Sequence, residues 1–279
     1  MTAFRDSTVL LTGAASGLGL LMARKMAAEG ARLVLWDVNA VGLDGVRKEL
    51  ERAGARVAVY VCDLSDRQAI AAAAARTLAE QGPIDILVNN AGIVSGKALL
   101  DASDADIERT FAVNTLALFW TTRAFLPGMI ARDRGHLVTI ASAAGIVGTA
   151  KLVDYCSSKH AAVGFDESLR LELRRAGRRI VTTVVCPFYI STGMFTGVKT
   201  RFPLLLPILE PEYAVERILH GIRANHRRVI MPRFVALTYF ARFLPVPVFD
   251  AIMDFLGVSR SMDEFRGRAE SSAPTARSA

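Results

Sequence analysis

Thr8-Val9-Leu10-Leu11-Thr12-Gly13-Ala14-Ala15-Ser16-Gly17-Leu18-Gly19 runs from a β-branched and leucine-rich stretch, through a glycine-rich turn, into a segment with apolar residues at helical spacing, Leu18 to Glu29. A strand that turns sharply into a helix is the opening of a β-α unit. Glycine permits close backbone approach, and a helix N-terminus attracts an anion. Gly13, Ser16, Gly17, Leu18 and Gly19 are therefore candidates to cradle a pyrophosphate, although the spacing G-x-x-x-G-x-G departs from G-x-G-x-x-G.

Outward from this turn the pattern repeats. Short apolar runs at Arg32 to Asp37, Val57 to Asp63, Ile84 to Asn89, His136 to Ser142 and Ile180 to Cys186 read as strands buried on both faces. Between them, Leu43 to Ala53, Arg67 to Gln81 and Ala161 to Arg175 carry helical spacing. Parallel strands need crossover helices, so the expected fold is a doubly wound, Rossmann-like α/β sheet in a single domain. Asp37 ends the second strand at the offset where a carboxylate accepts hydrogen bonds from an adenosine ribose. Its negative charge would repel a 2'-phosphate, and Ala14, Ala15, Ser16, Val38 and Asn39 offer no compensating cation, so NAD is expected over NADP.

Composition narrows the class. The 279 residues are 52% hydrophobic and 22% charged, with a mean hydropathy of +0.31, which suits a large core and not a disordered chain. The net charge of +7 is spread along the chain, so nucleic acid is not an expected partner. Cys62, Cys156 and Cys186 lie far apart without ligand spacing, which points to neither a disulfide framework nor a metal site. His136, His160, His220 and His226 are scattered and read as surface or packing residues. No signal peptide or N-terminal anchor is expected; the expected location is cytoplasmic, with peripheral membrane association left open. From Phe195 to Gly257 the alternation gives way to proline-punctuated apolar stretches, read as a lid and a C-terminal cap. Arg242, Pro245, Pro247, Asp250 and Asp254 interrupt the second stretch, so a transmembrane helix is not expected, while contact with a membrane surface or another subunit stays open. The catalytic domain is expected over residues 1–266, with lid and cap about 188–266 and a disordered tail at 267–279.

Tyr155 and Lys159 stand at i and i+4 on one helical face. A free tyrosine titrates near ~10, and a close cation lowers that value, so Lys159 is a candidate activator of Tyr155. Ser142 ends the preceding core strand, where open α/β sheets place reactive groups.

With these motifs the chain resembles the short-chain dehydrogenase/reductase family, from Ser7 to about Arg268. The glycine turn matches Thr12 to Gly19. The adenine-contacting acid and its neighbour match Asp63 and Leu64, and the Asn-Asn-Ala-Gly segment matches Asn89, Asn90, Ala91 and Gly92. The resemblance implies a catalytic set of Asn114, Ser142, Tyr155 and Lys159. It also implies a segment Pro187 to Thr192, with Pro187, Ile190 and Thr192, closing over the nicotinamide end; Phe188 stands where many members have glycine. The stretches Leu152 to Lys159, Cys186 to Phe195, Lys199 to Pro203 and Ser261 to Phe265 are similar to the branch of retinol dehydrogenases and 17-beta-hydroxysteroid dehydrogenases.

The activity so implied is NAD-dependent interconversion of an alcohol and its aldehyde or ketone. Ser142 would hold the substrate oxygen, Tyr155 would transfer the proton, Lys159 would bind the nicotinamide ribose, and Asn114 would hold a water leading to solvent. Ile146, Val147, Leu152, Phe188, Met194, Phe195 and Phe202 make the surroundings poor in charge, so a lipophilic small molecule is the expected substrate. A homo-oligomer is expected, as the family commonly forms. A noncatalytic NAD-binding scaffold and a peripheral membrane protein are the other readings, and the intact Ser142, Tyr155 and Lys159 weigh against the first.

Overall fold

The computed structural model describes residues 1–267; of the tail expected from residue 267 onward, 268–279 lie outside the described residues. Strands and helices alternate: β1 (Thr8–Thr12), α1 (Gly17–Ala28), β2 (Arg32–Asp37), α2 (Ala40–Arg52), β3 (Arg56–Val61), α3 (Arg67–Gln81) and β4 (Ile86–Asn89) form the first half. The second half comprises α4 (Asp104–Phe111), α5 (Ala117–Arg132), β5 (His136–Ile140), α6 (Val153–Arg175), β6 (Val181–Pro187), α7 (Pro211–Arg223) and β7 (Arg228–Met231), followed by α8 (Thr238–Ala241) and α9 (Val246–Phe255).

All pairings are parallel, in the order β3-β2-β1-β4-β5-β6-β7. The winding reverses between β1 and β4, and the crevice at the carboxyl ends of those two strands is where this topology leaves room for a ligand. Alternation of side chains along β1 assigns the two apolar layers. Val9 and Leu11 face Met22 and Met26 of α1 and Ile218, Leu219 and Ile222 of α7, whereas Leu10 faces Ile70 of α3 and Phe125 and Met129 of α5. Since both faces are covered, the central strands are continuously apolar, and Val9, Leu10 and Leu11 have no exposed surface.

One expectation is corrected. The stretch from Phe195 to Gly257 is not all lid and cap: α7 packs on the sheet, and β7 joins it through Val184↔Arg228 to Pro187↔Met231. A four-residue edge strand is too short to show periodicity, although Pro211 at the helix start and the stripe Ala214, Val215, Ile218, Leu219 and Ile222 mark α7 in the sequence. The lid proper is the loop from Tyr189 to Leu209, its two ends joined by Leu209 N to Tyr189 O at 2.8 Å and Ser191 N to Leu209 O at 3.1 Å. Among the described residues no helix is long and apolar enough to cross a membrane.

Candidate active site

The carboxyl ends of β1 to β6 and the lid enclose a cleft of about 1240 Å³, including the space at its open mouth. At one end lies the glycine turn. Gly13 has φ +67°, and a Cβ there would stand 2.8 Å from Ala91 Cα; a Cβ on Gly19 would stand 2.0 Å from the Gly13 carbonyl oxygen. Both positions must be glycine for the strand to meet the helix so closely. Asn90 braces the turn, donating from Nδ2 to the carbonyls of Thr12 (2.9 Å) and Gly13 (3.2 Å), while the N–H groups of Asn90 and Ala91 donate to Thr12 Oγ1. The result is a backbone-lined hollow at the start of α1, with the shape and the N–H donors that a pyrophosphate requires.

Asp37 lies beside this hollow. Its Oδ2 accepts from Ala15 N and its Oδ1 from Asn39 N, both at 2.9 Å, so the carboxylate is oriented by the loops on either side. Asp63 Oδ1 accepts from Ser65 N and Oγ at 2.8 and 2.7 Å. Burial works against the Asp63 charge, but Ser65 and the nearby Arg109 outweigh it and hold the carboxyl below its ordinary value. Leu64, Gly92, Ser16, Gly17 and Leu18 line the same end of the cleft.

At the other end stand Ser142, Tyr155 and Lys159. Ser142 stands two residues beyond β5 and caps a three-residue turn, Ala143–Gly145, its Oγ accepting from Ala144 N at 3.1 Å. Tyr155 and Lys159 come from the first turns of α6, which begins earlier than its apolar spacing implied and carries both on one face. Lys159 is buried, donates to the Ile140 carbonyl at 3.0 Å, and has its Nζ 5.7 Å from the centre of the Tyr155 ring. Burial raises the Tyr155 phenol above its ordinary value, with a hydrogen bond to Ser142 pulling the other way. The same desolvation lowers Lys159 to about 8. Desolvation opposes the charged form of both groups.

Pro187, Ile190 and Thr192 line the lid side of the cleft, with Phe188, Met194 and Phe195. The Phe195 ring meets Tyr155 edge-on at 5.7 Å and Tyr189 at 5.1 Å, and the Tyr189 hydroxyl is 2.9 Å from Ser261 Oγ. Phe265 presses on Gly96, where a Cβ would stand 2.0 Å from its ring, so the C-terminal segment seals the turn near Val94. The floor of this end is aromatic and aliphatic, suited to an apolar ligand.

Of the catalytic and cofactor residues expected from sequence, Asn114 alone does not line the cleft; of the apolar residues expected around the substrate, Phe188, Met194 and Phe195 line it, whereas Ile146, Val147 and Leu152 are buried in the packing behind it and Phe202 lies outside it. Asn114 sits in a π-helical segment, Ala112–Leu116, exchanges two 2.9 Å hydrogen bonds with the backbone of Ile93, and donates to Ser158 Oγ at 3.0 Å. Its side chain ties the loop after β4 to α6, and a Cβ on Gly92 would stand 3.4 Å from both Asn114 Oδ1 and Lys159 Nζ. Sequence reading missed Arg109 and Val113, which enter the cleft from α4 and the π-helical segment. A charged residue on an amphipathic helix gives no signal that it faces a cavity.

Comparison with known proteins agrees with this geometry. A family model described as short chain dehydrogenase matches residues 7–201. Epidermal retinol dehydrogenase 2 of Homo sapiens is 48% identical over 260 residues, covering 92% of this chain and 84% of the relative. A short chain dehydrogenase/reductase from Burkholderia phymatum, solved in complex with NAD, superposes with a TM-score of 0.79 at 28% identity, covering 87% of this chain and 95% of that one. A metagenomic short-chain oxidoreductase, solved with NADP, gives a TM-score of 0.68 at 32% identity over 82% of this chain and 96% of that one.

Proposed function

This chain belongs to the short-chain dehydrogenase family, oxidoreductases that act on alcohols with a nicotinamide cofactor, and on that premise we propose that it interconverts a lipophilic alcohol and its aldehyde or ketone using NAD(H). The observation that carries the proposal is the shared cleft: a glycine-built anion hollow at one end, and Ser142, Tyr155 and Lys159 under an apolar lid at the other. Gly13, Ser16, Gly17, Leu18 and Gly19 hold the pyrophosphate, Asp37 the adenosine ribose, Asp63 and Leu64 the adenine, and Asn90, Ala91, Gly92, Pro187, Ile190 and Thr192 the remainder. The cofactor, when bound, supplies the hydride acceptor or donor.

The chain's own residues manage the proton and the geometry. Ser142 Oγ orients the substrate oxygen. Tyr155 removes the hydroxyl proton during oxidation and returns it during reduction. Lys159 supports the phenolate electrostatically. Tyr155 would also be favoured as the phenolate by the positive charge that an oxidised nicotinamide would supply. Asn114 acts by positioning: it fixes Ile93 and Ser158 and so the spacing of β4 and α6 around Lys159.

NAD preference rests on Asp37, whose charge opposes a 2'-phosphate. Apolar substrate preference rests on Phe188, Met194 and Phe195 and on the similarity to a retinol dehydrogenase. The test is NADH formation across alcohols from short aliphatic to long-chain, aromatic, retinoid and steroid, with NADP in parallel. Turnover with NAD and a lipophilic alcohol is the expected result, and NADH binding without turnover of any alcohol would favour a cofactor-binding scaffold instead. In the same assay Asp37→Ser is expected to move the NAD-to-NADP ratio of kcat/KM toward NADP by roughly 10- to 100-fold, the equivalent of one charged hydrogen bond lost and one repulsion relieved. An unchanged ratio sinks the role of Asp37.

The reading extends to the surroundings: a cytoplasmic protein, in keeping with three free buried cysteines, with peripheral membrane contact and self-association. Phe243 and Leu204, 89% and 99% exposed on cap and lid, support contact with lipid, and exposed Phe119 and Leu171 on α5 and α6 support pairing of subunits. Flotation with liposomes, lost in Phe243→Ser, and sedimentation above monomer mass are the expected results.

A further inference from the structure

Arg242 follows α8 in a run of seven exposed residues, Arg242 to Val248, yet its guanidinium turns back into the molecule. Nε donates to the Ile146 carbonyl at 2.9 Å and Nη2 donates to the same oxygen, while Nη2 lies 3.3 Å from His160 Nε2. His160 Nδ1 is 2.8 Å from the Cys156 carbonyl. A carbonyl only accepts, so Nδ1 carries the proton, and in the neutral ring Nε2 is then the acceptor facing the guanidinium. The guanidinium also lies 5.9 Å from the centre of the Phe249 ring of α9.

These acceptors belong to two segments of the site. Ile146 closes the turn Ala143–Gly145, whose other end is capped by Ser142, and its N–H and that of Val147 both donate to the Ala143 carbonyl. His160 directly follows Lys159 on α6, and Cys156 directly follows Tyr155. One side chain from the cap therefore binds the far end of the turn that Ser142 begins and, through His160, the helical turn that carries Tyr155 and Lys159. A planar guanidinium with several donors can hold two acceptors at once, whereas an ammonium is a single compact charge.

We propose that Arg242 is a positioning residue that locks the Ser142 turn to the Tyr155–Lys159 helix, so that catalytic alignment depends on the cap being seated. The cap residues Phe249, Ile252 and Leu256 pack with Ile146 and Val147, so apolar contact also couples the seating of the cap to that turn. The proposal rests on the dehydrogenase reading for its catalytic consequence and on the hydrogen bonds alone for its structural one.

The test compares Arg242→Met, Arg242→Lys and, as a control on another exposed arginine of the cap, Arg260→Met. In Arg242→Met, amide exchange of the peptide spanning Ala143 to Val147 is expected to accelerate by about tenfold or more. The NADH Kd is expected to stay within about twofold of wild type, and kcat per NADH-binding site to fall by about 10- to 100-fold, the size of a lost charged hydrogen-bond pair. Arg242→Lys recovers part of both losses, and Arg260→Met leaves both readouts at wild type. A merely structural role would lower the melting temperature and the number of NADH sites but leave kcat per site and local exchange unchanged, which overturns the proposal. Unchanged exchange overturns the lock whatever the activity, and a wild-type protein inactive on every alcohol, with exchange accelerated in Arg242→Met, overturns the dehydrogenase reading while the lock stands.

Discussion

Tyr155→Phe is expected to lower kcat by about 10²- to 10⁴-fold, the range a positioned acid/base group supplies, and to leave NADH affinity nearly unchanged. The substitution removes one oxygen from a buried side chain that packs edge-on against Phe195 at 5.7 Å, and the ring contact is retained. Burial raises the phenol above its ordinary value and lowers Lys159 to about 8, with the hydrogen bond from Ser142 pulling the phenol the other way. Single-turnover absorbance at 340 nm and NADH fluorescence titration separate the two effects. Retained turnover in Tyr155→Phe would refute the proton-transfer role, and lost NADH binding would make the residue a cofactor contact first.

The second large effect belongs to the opposite end of the cleft. Gly19→Ala puts a Cβ 2.0 Å from the Gly13 carbonyl oxygen, a distance no methyl group can keep. Either α1 moves away from the turn or the turn opens, and in both cases the N–H donors of the anion hollow lose their alignment. NADH affinity is expected to fall by about 30- to 100-fold, equivalent to ~2–3 kcal/mol of charge-assisted hydrogen bonding. Strain in the packed turn should add a fold destabilisation of about 1–3 kcal/mol. Titration of NADH fluorescence together with thermal melting measures both; wild-type affinity in a folded Gly19→Ala protein would show that the hollow is not the anion site.

The two ends of the cleft were legible in the sequence to different degrees. The anion end was read from local rules alone: β1, the turn and α1 are contiguous, and glycine leaves a mark wherever backbone meets backbone. Asp37 was legible because strand length sets its distance from that turn. The catalytic end was legible in part, since Tyr155 and Lys159 share one helix and helical spacing places them together. That Ser142 faces them was carried by resemblance, because β5 and α6 meet only through the winding of the chain. The short edge strand β7 was not legible, as four residues with one neighbour show no usable period.

What the sequence by itself determined is the alternation of buried strands and amphipathic helices, hence the parallel sheet, its crevice and the glycine hollow. These depend on interactions within a few residues and on the steady burial of apolar side chains. Only the tertiary structure decided that Asn114 spends its amide on Ile93 and Ser158, that Arg109 reaches into the cleft beside Asp63, that Phe265 closes on Gly96 and that Arg242 holds Ile146. Each of these contacts joins segments distant in the chain, and most use a polar or charged side chain whose direction no periodicity encodes. Their geometry is fixed by how helices and cap settle on the sheet, which is a property of the packed whole.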